Sequence, residues 1–143
     1  MMTWRTMRAV LALTVGVLAG SGCDDATAPA ATSIEGTFVL ETANGRRLPT
    51  VGFSRPGYEI VVLAEEIDFS GDGRFFLSYT HRITNESLPP RNFRGVETGS
   101  YTQSGSEVAL LADAGTGRQT GRIRGNRLTL RQDTVTLVFG RAR

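Results

Sequence analysis

The alternation of apolar and polar residues predicts that the chain from residue 36 onward is mostly β-strand. Phe38 and Leu40 alternate with polar neighbours near the start of this region, and Leu128 and Leu130 do so near its end. A two-residue period places successive side chains on opposite faces of a strand, and no stretch shows a sustained helical period. Gly, Asn, Asp and Pro interrupt the apolar runs and supply turns. The pattern predicts eight strands, at 36–42, 58–69, 74–84, 93–103, 106–112, 118–124, 127–132 and 134–141.

Short links between these strands favour one closed sheet. Consecutive hairpins that each have one apolar face must either close on themselves or stack on a second sheet. Tight turns are predicted at 70–73, 104–106 and 125–126. Eight strands joined in this way predict an all-β, antiparallel up-and-down barrel. A two-sheet sandwich is the structural alternative.

The second predicted strand departs from regular alternation. Glu65 shares a face with the apolar Ile67 and Phe69. Either Glu65 points into the barrel, or a bulge at Glu65–Glu66 lets both carboxylates reach water. We expect the bulge, because a lone buried carboxylate is costly.

The first 22 residues have the pattern of a signal segment. Arg5 and Arg8 precede an apolar run over 9–20, and about 12 helical residues span only roughly 18 Å, too short to cross a bilayer core comfortably. The segment resembles a bacterial lipoprotein signal, in which cleavage leaves a lipidated cysteine as the first residue, here Cys23. Gly20 departs from that motif, which usually has Leu there. Ordinary signal cleavage that leaves Cys23 as a free thiol is the alternative.

This interpretation divides the chain into three parts and gives it an address. We expect a signal helix at 1–22, the lipidated cysteine with a flexible tether at 23–33, and one barrel domain at 34–143. The expected location is the bacterial cell envelope, where the lipid attaches the protein to a membrane. Because Cys23 is the only cysteine, the domain has no internal disulfide and no cysteine-based metal site.

The charge balance gives no argument for nucleic acid as a partner. The 16 basic residues are all Arg, and two of them precede residue 23, which leaves 14 Arg against 14 Asp plus Glu. The mature net charge is therefore near zero. Five arginines are predicted to share the outer face of one hairpin: Arg118, Arg122, Arg124, Arg127 and Arg131. We interpret this stripe as solvated surface, with contact to anionic headgroups or a polyanion as the functional alternative.

The stretch IEGTFVLETANGRRLP resembles the opening of bacterial lipocalin-like domains, which begin with Gly-x-aromatic, a short strand and an Asn-Gly turn. FSGDGRFFL, GSYTQSGSEV, IRGNRLTL and VTLVFGRAR are similar to the hairpins that follow in that group. The resemblance implies an eight-stranded barrel around a small molecule. It also implies closure by Gly36, Phe38 and Arg141, with the last-strand Arg packed over the first-strand aromatic. A META-domain lipoprotein is the second choice, because this chain lacks that group's Cys-Asn motif.

No set of residues in the sequence indicates catalysis, a cofactor or a metal. DFSGDG is similar to the first half of a calcium loop, but the twelfth position is Tyr79, which has no carboxylate. We interpret it as a hairpin turn. His81 is the only histidine, and no nucleophile motif accompanies it. We therefore expect no enzyme activity.

Successive connections of an up-and-down barrel alternate between its two ends. Those at 43–57, 85–92 and 113–117 are thus predicted at the end away from the tether, where long loops form a mouth that points away from the membrane. The residues predicted to line that mouth and bind a ligand are Tyr79, His81, Ile83, Phe93 and Arg118. We expect a monomeric, lipid-anchored barrel that binds a small apolar molecule. The alternative is a non-enzymatic structural or protein-interaction module with a filled barrel.

Overall fold

A computed structural model describes residues 32–115 and 117–143, and all regular structure within these ranges is β-strand. The strands are β1 (Gly36–Ala43), β2 (Arg46–Arg47), β3 (Thr50–Arg55), β4 (Tyr58–Phe69), β5 (Arg74–Asn85), β6 (Leu88–Ser104), β7 (Glu107–Ala112), β8 (Arg118–Arg124), β9 (Arg127–Gln132) and β10 (Val135–Arg141). No helix in the described ranges is long and apolar enough to cross a membrane. The predicted signal helix, Cys23 and the tether up to residue 31 lie outside them.

Eight of the strands form the predicted closed antiparallel barrel. The strands β4 to β10 pair in chain order, each with its successor. The last of them, β10, pairs with β1, where Phe38 lies opposite Arg141. β1 also pairs with the end of β4, where Gly36 lies opposite Phe69, and this pairing closes the ring. The closed ring rules out the two-sheet sandwich. β2 and β3 are outside the ring and pair with β1 and β4.

Three strands continue beyond the rim of the barrel. The start of β4, residues 58–62, pairs with β3 and not with β1. Residues 88–98 of β6 pair with β5 alone, and only residues 99–104 pair with β7. The result is a four-stranded sheet in the order β3–β4–β5–β6, which we call the extension (residues 50–62 and 81–93).

The extension corrects the prediction of long loops at 43–57 and 85–92. The first segment contains β2 and β3, and the second is a turn followed by the start of β6. Pro89 and Pro90 in particular suggested a loop. They lie where β6 has one neighbour and where its register with β5 shifts, which are positions where a strand tolerates residues without an N–H donor. The connections nevertheless fall at the predicted ends of the barrel.

The core fills the end of the barrel at which β1 begins, which we call the base. Phe38 and Phe69 meet edge to face there, with ring centroids 5.9 Å apart. The side chains that are essentially inaccessible to solvent are Ile34, Phe38, Ile67, Ile123, Leu128, Leu130 and Phe139. These come from five strands and from the segment before β1, so the packing crosses the barrel at this level.

Arg141 and Gln103 fasten the segment before β1 across the base. The Arg141 guanidinium lies 4.6 Å from the centroid of the Phe38 ring and donates hydrogen bonds to the carbonyls of Ser33 and Glu35. The side-chain oxygen of Gln103 accepts a hydrogen bond of 3.1 Å from the N–H of Ile34. The Arg-over-aromatic contact implied by the family resemblance is therefore present, and the base is closed.

Gly36 belongs to this closure for a conformational reason. Its φ is +105°, and a Cβ at this position would lie 3.1 Å from Nη1 of Arg141. A residue with a side chain would be strained in that backbone region and would crowd the guanidinium.

Candidate functional site

The barrel contains a cavity of about 360 Å³ in the half that faces away from the base. Its lining comes from six strands: Ile60, Glu65, Ile67, Leu77, Tyr79, His81, Ile83, Phe93, Glu97, Gln119, Gln132, Leu137 and Phe139. Ile67 and Phe139 belong to the packed core and form the floor. A volume above roughly 300 Å³ is in the range of small-molecule sites.

A bulge in β4 immediately precedes Glu65, which faces this cavity. The register with β5 passes from Val62 opposite His81 to Ala64 opposite Thr80, so Leu63 is an extra residue. The extra residue shifts the alternation, and Val62 and Glu65 both face the interior. The bulge is therefore present but lies two residues earlier than predicted.

Glu65 is paired with His81, which corrects the expectation that the bulge brings it to water. Its Oε1 lies 3.1 Å from Nε2 of His81, and the two side chains are 11% and 23% exposed. Its neighbour Glu66 is exposed, as predicted. The expectation treated Glu65 as a lone carboxylate, whereas a hydrogen-bonded imidazole partner offsets much of the cost of burial.

The Tyr79 ring is held along one wall. It stacks at a tilt on His81, with centroids 4.8 Å apart, and lies 6.1 Å from the ring of Phe93. It also covers Gly95, where an added Cβ would be 2.3 Å from the Tyr79 hydroxyl. The missing side chain at residue 95 is thus what makes room for the ring. Three of the predicted lining residues form one continuous surface.

Four of the five predicted mouth residues line the cavity: Tyr79, His81, Ile83 and Phe93. Arg118 does not. It pairs with Leu111, whose side chain is exposed on the outer face, while the next residue, Gln119, faces the interior. The prediction placed Arg118 by its position near the rim and disregarded the alternation along β8. Ligand binding by the other four stays a prediction.

The sequence analysis missed the other polar residues of the lining. Gln119 shares the inward parity of Ile123, and Gln132 shares that of Leu128, so alternation was the signal that would have found them. Glu97 shares the inward parity of Phe93 on β6. It lies opposite Leu77, closer to the base than Tyr79. The cavity wall therefore combines aliphatic and aromatic groups with carboxylates, amides, an imidazole and a phenol.

The rim of the cavity carries apolar and cationic side chains. Phe53, Ile60 and Ile83 are cross-strand neighbours on the face of the extension that continues the barrel interior. Phe53, Leu88 and Phe93 are each about half exposed, at 49%, 52% and 50%. The ring of Phe53 contacts Tyr58 at an edge, with centroids 6.2 Å apart. Two arginines share this face: Arg91 lies opposite Ile83, and the Arg55 guanidinium lies 5.2 Å from the centroid of the Tyr58 ring.

The predicted arginine stripe lies on the outer face of the barrel. Arg122, Arg124, Arg127 and Arg131 border a shallow concave surface on β8 and β9. Arg122 pairs with Glu107 at 2.6 Å, and Arg127 pairs with Glu41 at 3.2 Å. Such exposed pairs contribute little stability. Contact of this surface with anionic headgroups stays a hypothesis.

The DFSGDG segment forms a hairpin turn. The Asp72 carboxylate accepts hydrogen bonds from the Ser70 hydroxyl at 2.5 Å and from the Arg74 N–H at 3.2 Å. These bonds, first of all the one from Ser70, hold the pKa of Asp72 below its usual value. Within residues 32–115 and 117–143, no group of three or more His, Cys, Asp or Glu side chains is arranged to hold a metal ion.

Comparison of the chain with protein-family models, with curated proteins and with solved structures found no match.

Proposed function

We propose that this chain is a lipid-anchored, monomeric protein of the bacterial cell envelope whose barrel binds one small, mostly apolar molecule without transforming it. The observation that carries the proposal is the cavity of about 360 Å³, which lies above a packed base and is entered past apolar side chains. Eight-stranded barrels have interiors that either fill with side chains or hold one small ligand.

The closed base determines the direction of entry. Ile34, Phe38 and Arg141 block the end at which the chain enters the barrel. A ligand therefore enters at the opposite end, beside the extension. With a lipid on Cys23, that end faces away from the membrane, and the tether allows the ligand to be taken from the aqueous side.

Native mass spectrometry of the full chain, extracted from membranes in mild detergent, tests binding. We expect an adduct of one small molecule per chain. Ile83→Trp fills part of the cavity and should remove the adduct, whereas Arg82→Trp, on the outer face of the same strand, should keep it. Absence of an adduct from the unmodified protein, or equal retention by both variants, contradicts the proposal.

Metabolic labelling with a palmitate analogue tests the anchor separately. The wild-type chain should be labelled and should sediment with membranes. The Cys23→Ser variant should lose the label. If both chains are unlabelled, cleavage at an ordinary signal site is the correct interpretation of residues 1–22.

A protein-interaction module is the second candidate, and one observation favours it. Phe53 and Leu88 expose apolar side chains on one face of the extension, and such surfaces mark interaction sites when they are contiguous. Crosslinking in cells that captures one protein through residue 53, together with no small-molecule adduct, would favour this function over ligand binding.

A further inference from the structure

We infer that the arginine stripe (Arg118, Arg122, Arg124, Arg127 and Arg131) is a docking surface for anionic phospholipid headgroups, and that it tilts the barrel onto its β8–β9 side at the membrane. The choice of a membrane as the partner rests on the proposed lipid anchor, whereas the surface itself is separate from the cavity. Three observations carry the inference: the division of charge between two sides of the barrel, the uncompensated charge within the stripe, and the position of the stripe beside the base.

The charges of the barrel are divided between its two sides. The strands β4 to β6 with their turns (residues 58–104) carry seven carboxylates and four arginines, whereas β7 to β10 (residues 107–141) carry three carboxylates and six arginines. In the ring, β8 lies four strands from β4 in either direction, so the acidic and basic sides face opposite ways. Although its net charge is near zero, the domain is therefore turned with its basic side towards an anionic surface.

The stripe itself is only partly neutralised. Residues 114–132 contain no Asp or Glu. Two of the five arginines pair with carboxylates on neighbouring strands. The other three, Arg118, Arg124 and Arg131, have no carboxylate partner in the part of the chain that the structure describes. The stripe therefore keeps three uncompensated positive charges on the outer face.

The arrangement of these side chains suits a phosphate. Arg124 lies directly opposite Arg127, and like charges in that relation are unfavourable in a sheet. Four of the arginines border the concave surface on β8 and β9, which Thr120 and Thr129 also line. A phosphate accepts paired hydrogen bonds from a guanidinium and further ones from hydroxyls, and its charge relieves the repulsion. The surface thus matches the phosphate of an anionic headgroup in charge and in hydrogen bonding.

The stripe begins beside the base of the barrel. Arg124 and Arg127 flank the turn between β8 and β9. The carbonyl of Asn126 in that turn accepts a hydrogen bond of 2.8 Å from the N–H of Arg141, which closes the base. Contact that begins at this end of the stripe tilts the barrel and leaves the mouth, at the other end, open to water. The inferred docking is therefore compatible with ligand entry from the aqueous side.

A lipid on Cys23 makes this contact intramolecular. About 10 residues separate Cys23 from Ile34, and such a segment extends to at most about 33 Å. Headgroups around the anchor are thus within reach of the stripe, at an effective concentration on the order of millimolar. Weak electrostatic attraction is sufficient under these conditions. Docking of the basic side of one copy on the acidic side of another requires two separate chains to meet, and this favours the membrane as the partner.

Energy transfer from one tryptophan to dansyl-labelled headgroups measures which side of the barrel faces the membrane. Trp4 is the only tryptophan, so a Trp4→Phe background carries either Thr120→Trp in the stripe or Ala64→Trp on β4, both at exposed positions. The full chain with its lipid is reconstituted into phosphatidylcholine vesicles with or without phosphatidylglycerol. Phosphatidylglycerol should raise the transfer from the Thr120→Trp chain and not from the Ala64→Trp chain. About 1 M salt, which screens charges beyond about 3 Å, should reverse the rise.

The other outcomes of this experiment overturn the inference. No rise, an equal rise in both chains, or a rise that salt does not reverse means that the stripe does not dock on headgroups. If phosphatidylglycerol has no effect and copies of the chain crosslink to one another, a second copy is the occupant instead. In these cases a chain that carries the palmitate label leaves the proposed anchor standing. A chain without the label that is washed from the vesicles means that the anchor has failed, and the inference that rests on it fails as well.

Paired substitutions identify the arginines responsible. In the Thr120→Trp chain, Arg124→Gln with Arg131→Gln should lower the equilibrium constant for headgroup contact about 25-fold, because each arginine near an anionic surface contributes roughly 5-fold. Arg46→Gln with Arg47→Gln is the matched control. It removes the same charge from exposed positions on β2, outside the ring, and should keep the response to phosphatidylglycerol. The same loss in both double variants means that only the net charge matters and overturns the role of the stripe.

Discussion

Replacement of Arg141 tests whether the base is closed in the way that the structure describes. Arg141→Ala removes a guanidinium 4.6 Å from the Phe38 centroid, together with its hydrogen bonds to the carbonyls of Ser33 and Glu35. A cation–π contact contributes about 0.5–2 kcal/mol, and a hydrogen bond from a charged group about 1.5–3 kcal/mol. Because the group is partly exposed and these terms are not additive, we expect a loss of about 3 kcal/mol in the free energy of unfolding.

Urea unfolding of the full chain, followed by far-UV circular dichroism, measures this loss. For a domain of this size, the same change lowers Tm by about 12 °C. Arg141→Lys should be intermediate, because an ammonium retains the charge above Phe38 but lacks the planar fork that reaches two carbonyls. Arg143→Ala is the control, since Arg143 is exposed two residues further on and should change stability by less than about 0.5 kcal/mol. If Arg141→Ala costs no more than Arg143→Ala, the closure argument is wrong.

Three further predictions follow from packing, charge and strand edges. Gly99→Ala should destabilise the barrel by about 1–3 kcal/mol in urea unfolding, because the added Cβ would lie 2.2 Å from the carbonyl oxygen of Leu111 on β7. The pKa of Asp113 should be below its usual value in an NMR titration, chiefly because Arg74 donates hydrogen bonds to its carboxylate. The resulting stabilisation is present above the unfolded-state pKa and is lost as the pH falls through the lower folded-state value, and Arg74→Gln should bring the Asp113 pKa back towards its usual value. Replacement of Pro89 and Pro90 by Thr should give concentration-dependent association in light scattering, because the free edge of β6 would gain N–H donors; an unchanged monomer would contradict this.

Alternation along the chain was sufficient to predict the barrel. Phe38, Leu128 and Phe139 have the inward parity that the structure shows, and the turns between strands contain residues suited to them. The extension was not predictable by the same means, because β3 has only one pairing partner and no clear apolar face of its own. Pro89 and Pro90 also predict a loop, because proline is rare inside a sheet. They fit a strand only where that strand is an edge, and the sequence does not show that this part of β6 is one.

The candidate site was predictable as far as local parity extends. Tyr79, His81 and Ile83 follow the alternation of β5 and line the cavity as expected. Glu65 shares the inward parity of Ile67, but its burial depends on a partner 16 positions away, which its own neighbourhood does not reveal. Sequence alone therefore indicated the aromatic wall of the cavity and left the direction of Glu65 open.

Amide NMR of the full chain during titration with decanol tests the central claim, that the upper half of the barrel holds a ligand above a packed base. We predict that the largest chemical-shift changes occur at Glu65, Tyr79, His81 and Glu97, with none at Leu128 in the core. Changes confined to the outer face of β8 and β9, or no changes at concentrations where an apolar ligand should saturate the cavity, would contradict the account.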